Sequence, residues 1–476
     1  MIGPAMRVAA GVLALLALAS DAQAHALAQR YDLPLPLGFF LVAAGAAVAV
    51  SFVILALFWK HDTQRAERSE GQSFQGAIPG VVIVFCQVIG VVLLALIVTA
   101  GLFGNQSTFK NIAPVTVWII WWVGLSFVCA FVGNVWALIN PWTALFGLAA
   151  RLARPWAGQS LRLRYPEWLG AWPACALFLL FAWFELVAPG RDVPRNIAIA
   201  VVIYSVLTWT GLIIFGRDTW IRSGEVFSVV FELFGRFAPL RFAYDGRWHW
   251  SLRPYAAGLL ARAPLATSMT AFTLLMLGTV TVDGVMETPL WAAAAEGMLG
   301  NAGAGVDPKA YMMLQSALLI AGPLLLAALY LAVVVMIVRL ARARLTKLAG
   351  LFVLSLVPIA IAYHLAHYFT LLAIAGQFII PLISDPFGIG WDLFGTTLYR
   401  IDIGLVDARF IWYLSVIAIV TGHVIAVWIG HVTAYTVFPD ATVARRSQYP
   451  MLVLMVGYTM LSLWILAQPI IEPAAR

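Results

Sequence analysis

The chain has 476 residues, 62% of them hydrophobic and only 11% charged, with 19 tryptophans. Soluble globular domains carry about 25% charged residues, so this composition excludes a water-soluble fold and indicates a polytopic membrane protein. The formal charge of +7 is small and spread along the chain, which argues against nucleic acid as a partner.

The first 24 residues read as a signal peptide. Arg7 precedes the apolar stretch "VAAGVLALLALAS", and "AQA" at 22–24 supplies the small residues of a cleavage site. The apolar stretch is short against the roughly 20 residues that cross a bilayer core of about 30 Å, which disfavours an uncleaved anchor. Cleavage after Ala24 makes His25 the mature N-terminus.

Ten later runs are long and apolar enough to span: 37–59, 80–102, 115–136, 168–188, 197–215, 264–282, 311–338, 349–375, 410–436 and 451–469. The predicted fold class is therefore all-α, a transmembrane helix bundle forming one membrane domain over residues 25–476. With the mature N-terminus in the periplasm, 20 Lys and Arg residues fall in cytoplasmic connections and 8 in periplasmic ones. No cytoplasmic connection is less basic than the periplasmic segments beside it, and all but the last are more basic, as the positive-inside rule leads one to expect. These counts predict a bacterial inner-membrane protein with both mature termini periplasmic.

Between spans 3 and 4, "INPWTALFGLAARLARPW" breaks at Pro141 and resumes as a helix suited to the membrane interface, with Asn134 and Asn140 as turn and cap residues. Between spans 5 and 6, "GEVFSVVFELFGRFAPL" is amphipathic but interrupted by Glu225, Glu232 and Arg236, which predicts a helix along the cytoplasmic surface. The connection 376–409 is rich in Gly and Pro and carries Asp385, Asp392, Asp402 and Asp407, the pattern of an irregular loop. Trp118, Trp121 and Trp122 read as an outer interfacial belt, Trp168 and Trp172 as an inner one, and Glu185 as a side chain that reaches water.

Chemistry is expected at the histidines. His364 and His367, in "YHLAHYFTLL", share a face of span 8 at i and i+3, roughly 16 Å inside the outer boundary for His364. His423 on span 9 lies at a comparable depth, and His431 about two turns further in. Ionisable side chains so deep in a membrane are costly and mark function by default. An i, i+3 pair plus His423 makes a three-nitrogen set for a divalent ion such as zinc or copper, with a position left for water. Hydrogen bonding between helices and haem ligation remain open for the same residues. His25 at a free N-terminus offers amine and imidazole together, a copper(II) preference. Cys86, Cys129 and Cys175 sit in separate apolar runs without CxxC spacing, and P-loop, GxSxG, HExxH and dinucleotide fingerprints do not occur in a usable context.

The segments "AHALAQRYDLPLPLGFFLVAAGAAVAVSFVILALFW", "NPWTALFG", "YHLAHYFTLL", "SDPFGIGWDLFGT", "GHVIAVWIGHVTAY" and "QYPMLVLMVGYT" together resemble bacterial multi-pass membrane proteins of the fenitrothion hydrolase family. The resemblance runs from the signal peptide to the last span, with "HA" here where family members commonly have "HG" after the small-residue site. It implies hydrolysis of an apolar organophosphorus triester with a nitrophenol leaving group. In that reading a metal held by His364, His367 and His423 activates water, with Asp385 or Asp392 orienting it. A second function class is a membrane protein for binding, delivery or transport of copper or another metal, in which His25 and the acidic loop capture the ion and the histidine spans relay it to His431. A membrane scaffold without catalysis is the third.

Overall fold

A computed structural model describes residues 33–58, 75–152, 163–260, 263–300 and 307–468. The signal peptide and His25 lie outside the described residues. Among the described residues, ten helices are long and apolar enough to cross a membrane. In chain order they are α1 (Leu37–Phe58), α2 (Gly80–Phe103), α3 (Ile112–Phe131), α4 (Glu167–Leu186), α5 (Pro194–Phe215), α6 (Thr267–Met286), α7 (Pro308–Ala341), α8 (Leu345–Ser384), α9 (Ala408–Val437) and α10 (Ala441–Ala467). The expected spans and these helices correspond one for one, with most ends within about five residues; α8 runs nine residues further at its C-terminal end than expected and α10 begins ten residues earlier.

Burial sorts the helices into centre and periphery. In α8, 94% of the most apolar stretch is buried, against 17% for α2, so α8 is the axis of the bundle and α2 presents most of its surface outward. A helix apolar on every side is either enclosed by protein or bathed in lipid, and both cases occur here. The axis packs against α9 at very short range: a Cβ added to Gly422 of α9 would lie 2.4 Å from the Ala362 Cβ and 2.8 Å from the Pro358 carbonyl oxygen of α8. Small residues at such crossings let backbones approach where no hydrophobic effect drives association.

At one end of the bundle three short strands form an antiparallel sheet: β1 (Gln75–Ala77), β2 (Leu240–Tyr244) and β3 (Trp248–Leu252), in the order β1-β3-β2. Gln75 pairs with Ser251, and Leu240 with Leu252. The β2–β3 turn runs through Asp245 and Gly246, and Gly246 has φ of +103°, a conformation that favours glycine.

Between α5 and β2 lies the helix Val226–Gly235, expected along the surface and found instead enclosed, with nine of its ten residues buried. The interrupting charge explains the difference. Glu225, fully buried, caps the helix and accepts hydrogen bonds from six donors. These are the backbone N–H groups of Phe227 (3.0 Å) and Ser228 (2.8 Å), the Ser228 hydroxyl, Tyr204 (2.5 Å), Asn140 Nδ2 (3.2 Å) and Trp136 Nε1 (3.3 Å). A carboxylate surrounded by donors is tolerated where an unpaired one is not.

Trp121 and Trp122, expected at the interface, also turn inward. They belong to a π-helical stretch, Val115–Gly124, within α3, and Trp121 packs edge-on to Phe227 with ring centroids 4.4 Å apart. The widened turn presents consecutive bulky rings to the core, a use to which π-helical turns are often put. Trp168 and Trp172 are exposed, as an anchoring pair would be. Asn134 and Asn140 take the expected turn roles, accepting from the backbone N–H groups of Ala137 and Thr143.

Candidate metal centre

The last turn of α6 and the middle of α8 meet through charged side chains. Asp283 is on α6, and Glu287 follows four residues later on the same face, just past the helix end. From α8, His367 Nε2 lies 2.8 Å from Asp283 Oδ2 and 3.8 Å from Glu287 Oε1. Tyr368, next in the chain, donates its hydroxyl to the same Asp283 oxygen at 2.5 Å. Donor atoms of Asp283, Glu287 and His367 all lie within 4.8 Å of one another, the one such group of three His, Cys, Asp or Glu residues among the described residues.

Backbone approach makes this meeting possible. A Cβ on Gly284 would lie 2.2 Å from the Tyr363 hydroxyl, so only glycine beside Asp283 lets α8 come close enough for His367 to reach it. One turn toward the other end of α6, Thr281 and Tyr458 of α10 share a short hydrogen bond that draws the third helix against the same region.

The donor set fits a divalent ion. Two carboxylates and one imidazole match the nitrogen and oxygen ligands of zinc or copper(II), and two negative charges offset a divalent charge in a low-dielectric setting. Tetrahedral zinc with bonds near 2.0–2.1 Å holds neighbouring ligand atoms about 3.3 Å apart. The present 2.8 Å between His367 and Asp283 is a direct hydrogen bond, so these two side chains would hold an ion only after giving up the bridging proton and parting by about half an ångström. Tyr368 then orients the carboxylate from behind, as an outer-shell donor.

Comparison of the chain with protein-family models, curated proteins and solved structures finds no match.

The histidines foreseen as a three-nitrogen site are dispersed. His364, one helical step round from His367, lies outside the Asp283 group in an aromatic enclosure of Trp122, Phe127, Phe234 and Tyr368, with ring centroids 4.7–5.9 Å away. At i and i+3 two side chains diverge by about 60° around the axis, enough to face different neighbours inside a crowded bundle. His423 donates from Nδ1 to the Ile419 carbonyl at 2.9 Å and leans on the Tyr458 ring. His431 Nδ1 meets Gln448 Oε1 at 2.9 Å, near the sheet-bearing end. Asp385 and Asp392, foreseen as catalytic, serve the loop's own backbone: Asp385 accepts from Ile389 and Gly390 N–H, and Asp392 from Thr397 N–H. Short acidic side chains in Gly-rich loops commonly make such turns.

A small internal cavity adjoins the group, lined by Glu185, His364, Tyr368 and Trp122 among apolar neighbours, with room for on the order of one water molecule. Glu185, expected to reach outward to solvent, faces this cavity. The buried Nε1 of Trp122 and Nε2 of His364 have no hydrogen-bond partner in the structure, and both residues line it. Sequence reasoning passed over Asp283 and Glu287, although a carboxylate within "LLMLGTVTVDGVMETP" carries the signal already applied to the histidines, an ionisable group in an apolar span.

Proposed function

We propose that this chain is a bacterial inner-membrane protein that binds a divalent transition-metal ion, copper or zinc, between α6 and α8, and serves in its binding, delivery or transport. The observation that carries the reading is the clustering of Asp283, Glu287 and His367 donor atoms from two packed helices inside the bundle. Charged groups enclosed by packed helices are costly unless compensated, and a divalent cation compensates two carboxylates directly. His367 takes part as the neutral imidazole, so uptake of the ion releases a proton from the group. The excess of basic residues in the sheet-bearing connections supports placing that end in the cytoplasm, with both mature termini periplasmic.

Elemental analysis of purified protein tests the reading. Wild type is expected to hold one zinc or copper ion per chain, lost in Asp283→Asn and in His367→Ala. Metal-free wild type, or equal content in the variants, refutes it.

A second reading is metal-dependent hydrolysis of an organophosphorus triester. It is supported by the resemblance to the fenitrothion hydrolase family and by the cavity beside Tyr368. A triester needs a pocket of some 300 Å³ or more, so α8 and its neighbours would have to separate to admit one. Nitrophenol release by membranes containing the protein, abolished in His367→Ala at equal protein level, supports this reading; no release from wild-type membranes removes it.

A further inference from the structure

His431, Met451 and Met455 line one small cavity between α9 and α10, remote in sequence from the Asp283 group. All three side chains are buried. Met451 and Met455 stand at i and i+4 on α10 and therefore share a face. Apart from Gln448 the remaining walls are apolar, among them Phe52, Phe352 and Val427, and the space holds on the order of one water-sized sphere.

The hydrogen bonds around His431 fix its chemistry. Gln448 Nε2 donates to the Ala444 carbonyl at 2.8 Å, which sets the amide orientation and turns Oε1 toward the ring. Since Oε1 only accepts, His431 Nδ1 carries the proton and donates to it at 2.9 Å. The ring is then the tautomer whose Nε2 lone pair is the metal-ligating one, oriented by an amide in the outer shell.

We propose that His431, Met451 and Met455 form a second metal site, selective for a soft monovalent ion, copper(I) or silver(I). Thioether sulfur and imidazole nitrogen are the ligand types that favour copper(I), and neither brings negative charge. Among the described residues this cavity is lined by no carboxylate, and such a lining penalises a divalent ion more than a monovalent one, because desolvation cost rises steeply with charge. The chain thus presents two unlike sites, an oxygen-rich one for a divalent ion and a sulfur-rich one for a soft ion. The second stands independently of the first.

The test is anaerobic titration of copper(I) into the detergent-solubilised full-length protein against a chromophoric competitor, with X-ray absorption on the loaded sample. Wild type is expected to take up one copper(I) with sulfur and nitrogen in its first shell. Met451→Leu with Met455→Leu conserves side-chain volume and is expected to abolish uptake, and Gln448→Leu to weaken it about 10- to 100-fold. Asp283→Asn is expected to leave copper(I) uptake unchanged while losing zinc, which separates the two sites. Absence of copper(I) uptake by wild type, undiminished uptake in the double leucine variant, or a first shell without sulfur overturns the proposal.

Discussion

Asp283 Oδ2 receives both His367 and Tyr368, at 2.8 and 2.5 Å, so one carboxylate oxygen on α6 holds two consecutive side chains of α8. Consecutive residues on a helix diverge by about 100°, and both reach one atom only where the partner lies between their directions. Asp283 is therefore the pin between the axial helix and its neighbour.

Tyr368→Phe is expected to keep the ion but weaken it. The hydroxyl orients Asp283 without belonging to the donor group, and loss of such an outer-shell contact costs about 10- to 100-fold in metal affinity. Competition for zinc with a calibrated chelator reads this directly; an affinity equal to wild type would contradict the orienting role.

Gly284→Ala is expected to destabilise by about 1–3 kcal/mol, because the new methyl meets the Tyr363 hydroxyl. Removing that hydroxyl makes room, so Gly284→Ala with Tyr363→Phe should be more stable than Gly284→Ala alone. Thermal melts of the four proteins of this cycle in detergent give the coupling, and additive effects would show that the two residues do not collide.

Glu225→Gln is expected to cost about 3 kcal/mol or more. All six groups around Glu225 donate, and an amide nitrogen can accept none of them, so donors buried on that side lose their acceptor. Glu225→Gln and wild type melting at the same temperature would remove the carboxylate from its structural role.

Single-cysteine labelling is expected to place the two ends of the bundle on opposite sides. With Cys86, Cys129 and Cys175 replaced, Leu398→Cys, on the exposed long loop, should react with an impermeant thiol reagent added outside intact spheroplasts. Tyr244→Cys, on the sheet, should react only after lysis. The reverse pattern would invert the orientation derived from Lys and Arg.

The spans were legible because uninterrupted apolar length is a one-dimensional signal, and all ten were found, although α8 and α10 extend nine and ten residues beyond their expected limits at one end. The site was less legible. His367 was singled out for being ionisable in a span, but its partners depend on how α8 is rotated against α6, which spacing along α8 does not reveal. Asp283 carried the same signal at the end of its run and was missed by attention to nitrogen donors. The helix Val226–Gly235 defeated the amphipathic reading because a charge that usually marks solvent can instead be neutralised by a ring of donors contributed from distant helices. The β2–β3 hairpin had a local cue in Asp245-Gly246 between aromatic-rich, alternating stretches, overlooked in a chain read as wholly helical.

The sheet also constrains how the molecule is made. β1 emerges before α2, whereas its partner β3 follows α5, so four spans must be threaded into the bilayer before the strand finds its mate. Until then β1 is an unpaired edge beside the nascent bundle, open to wrong pairing, and closing so long a loop is slow. Its three-residue length limits that hazard. Pairing of β1 with β3 therefore waits until these four spans are in place, and slowing it leaves an assembly intermediate with the spans inserted and β1 unpaired.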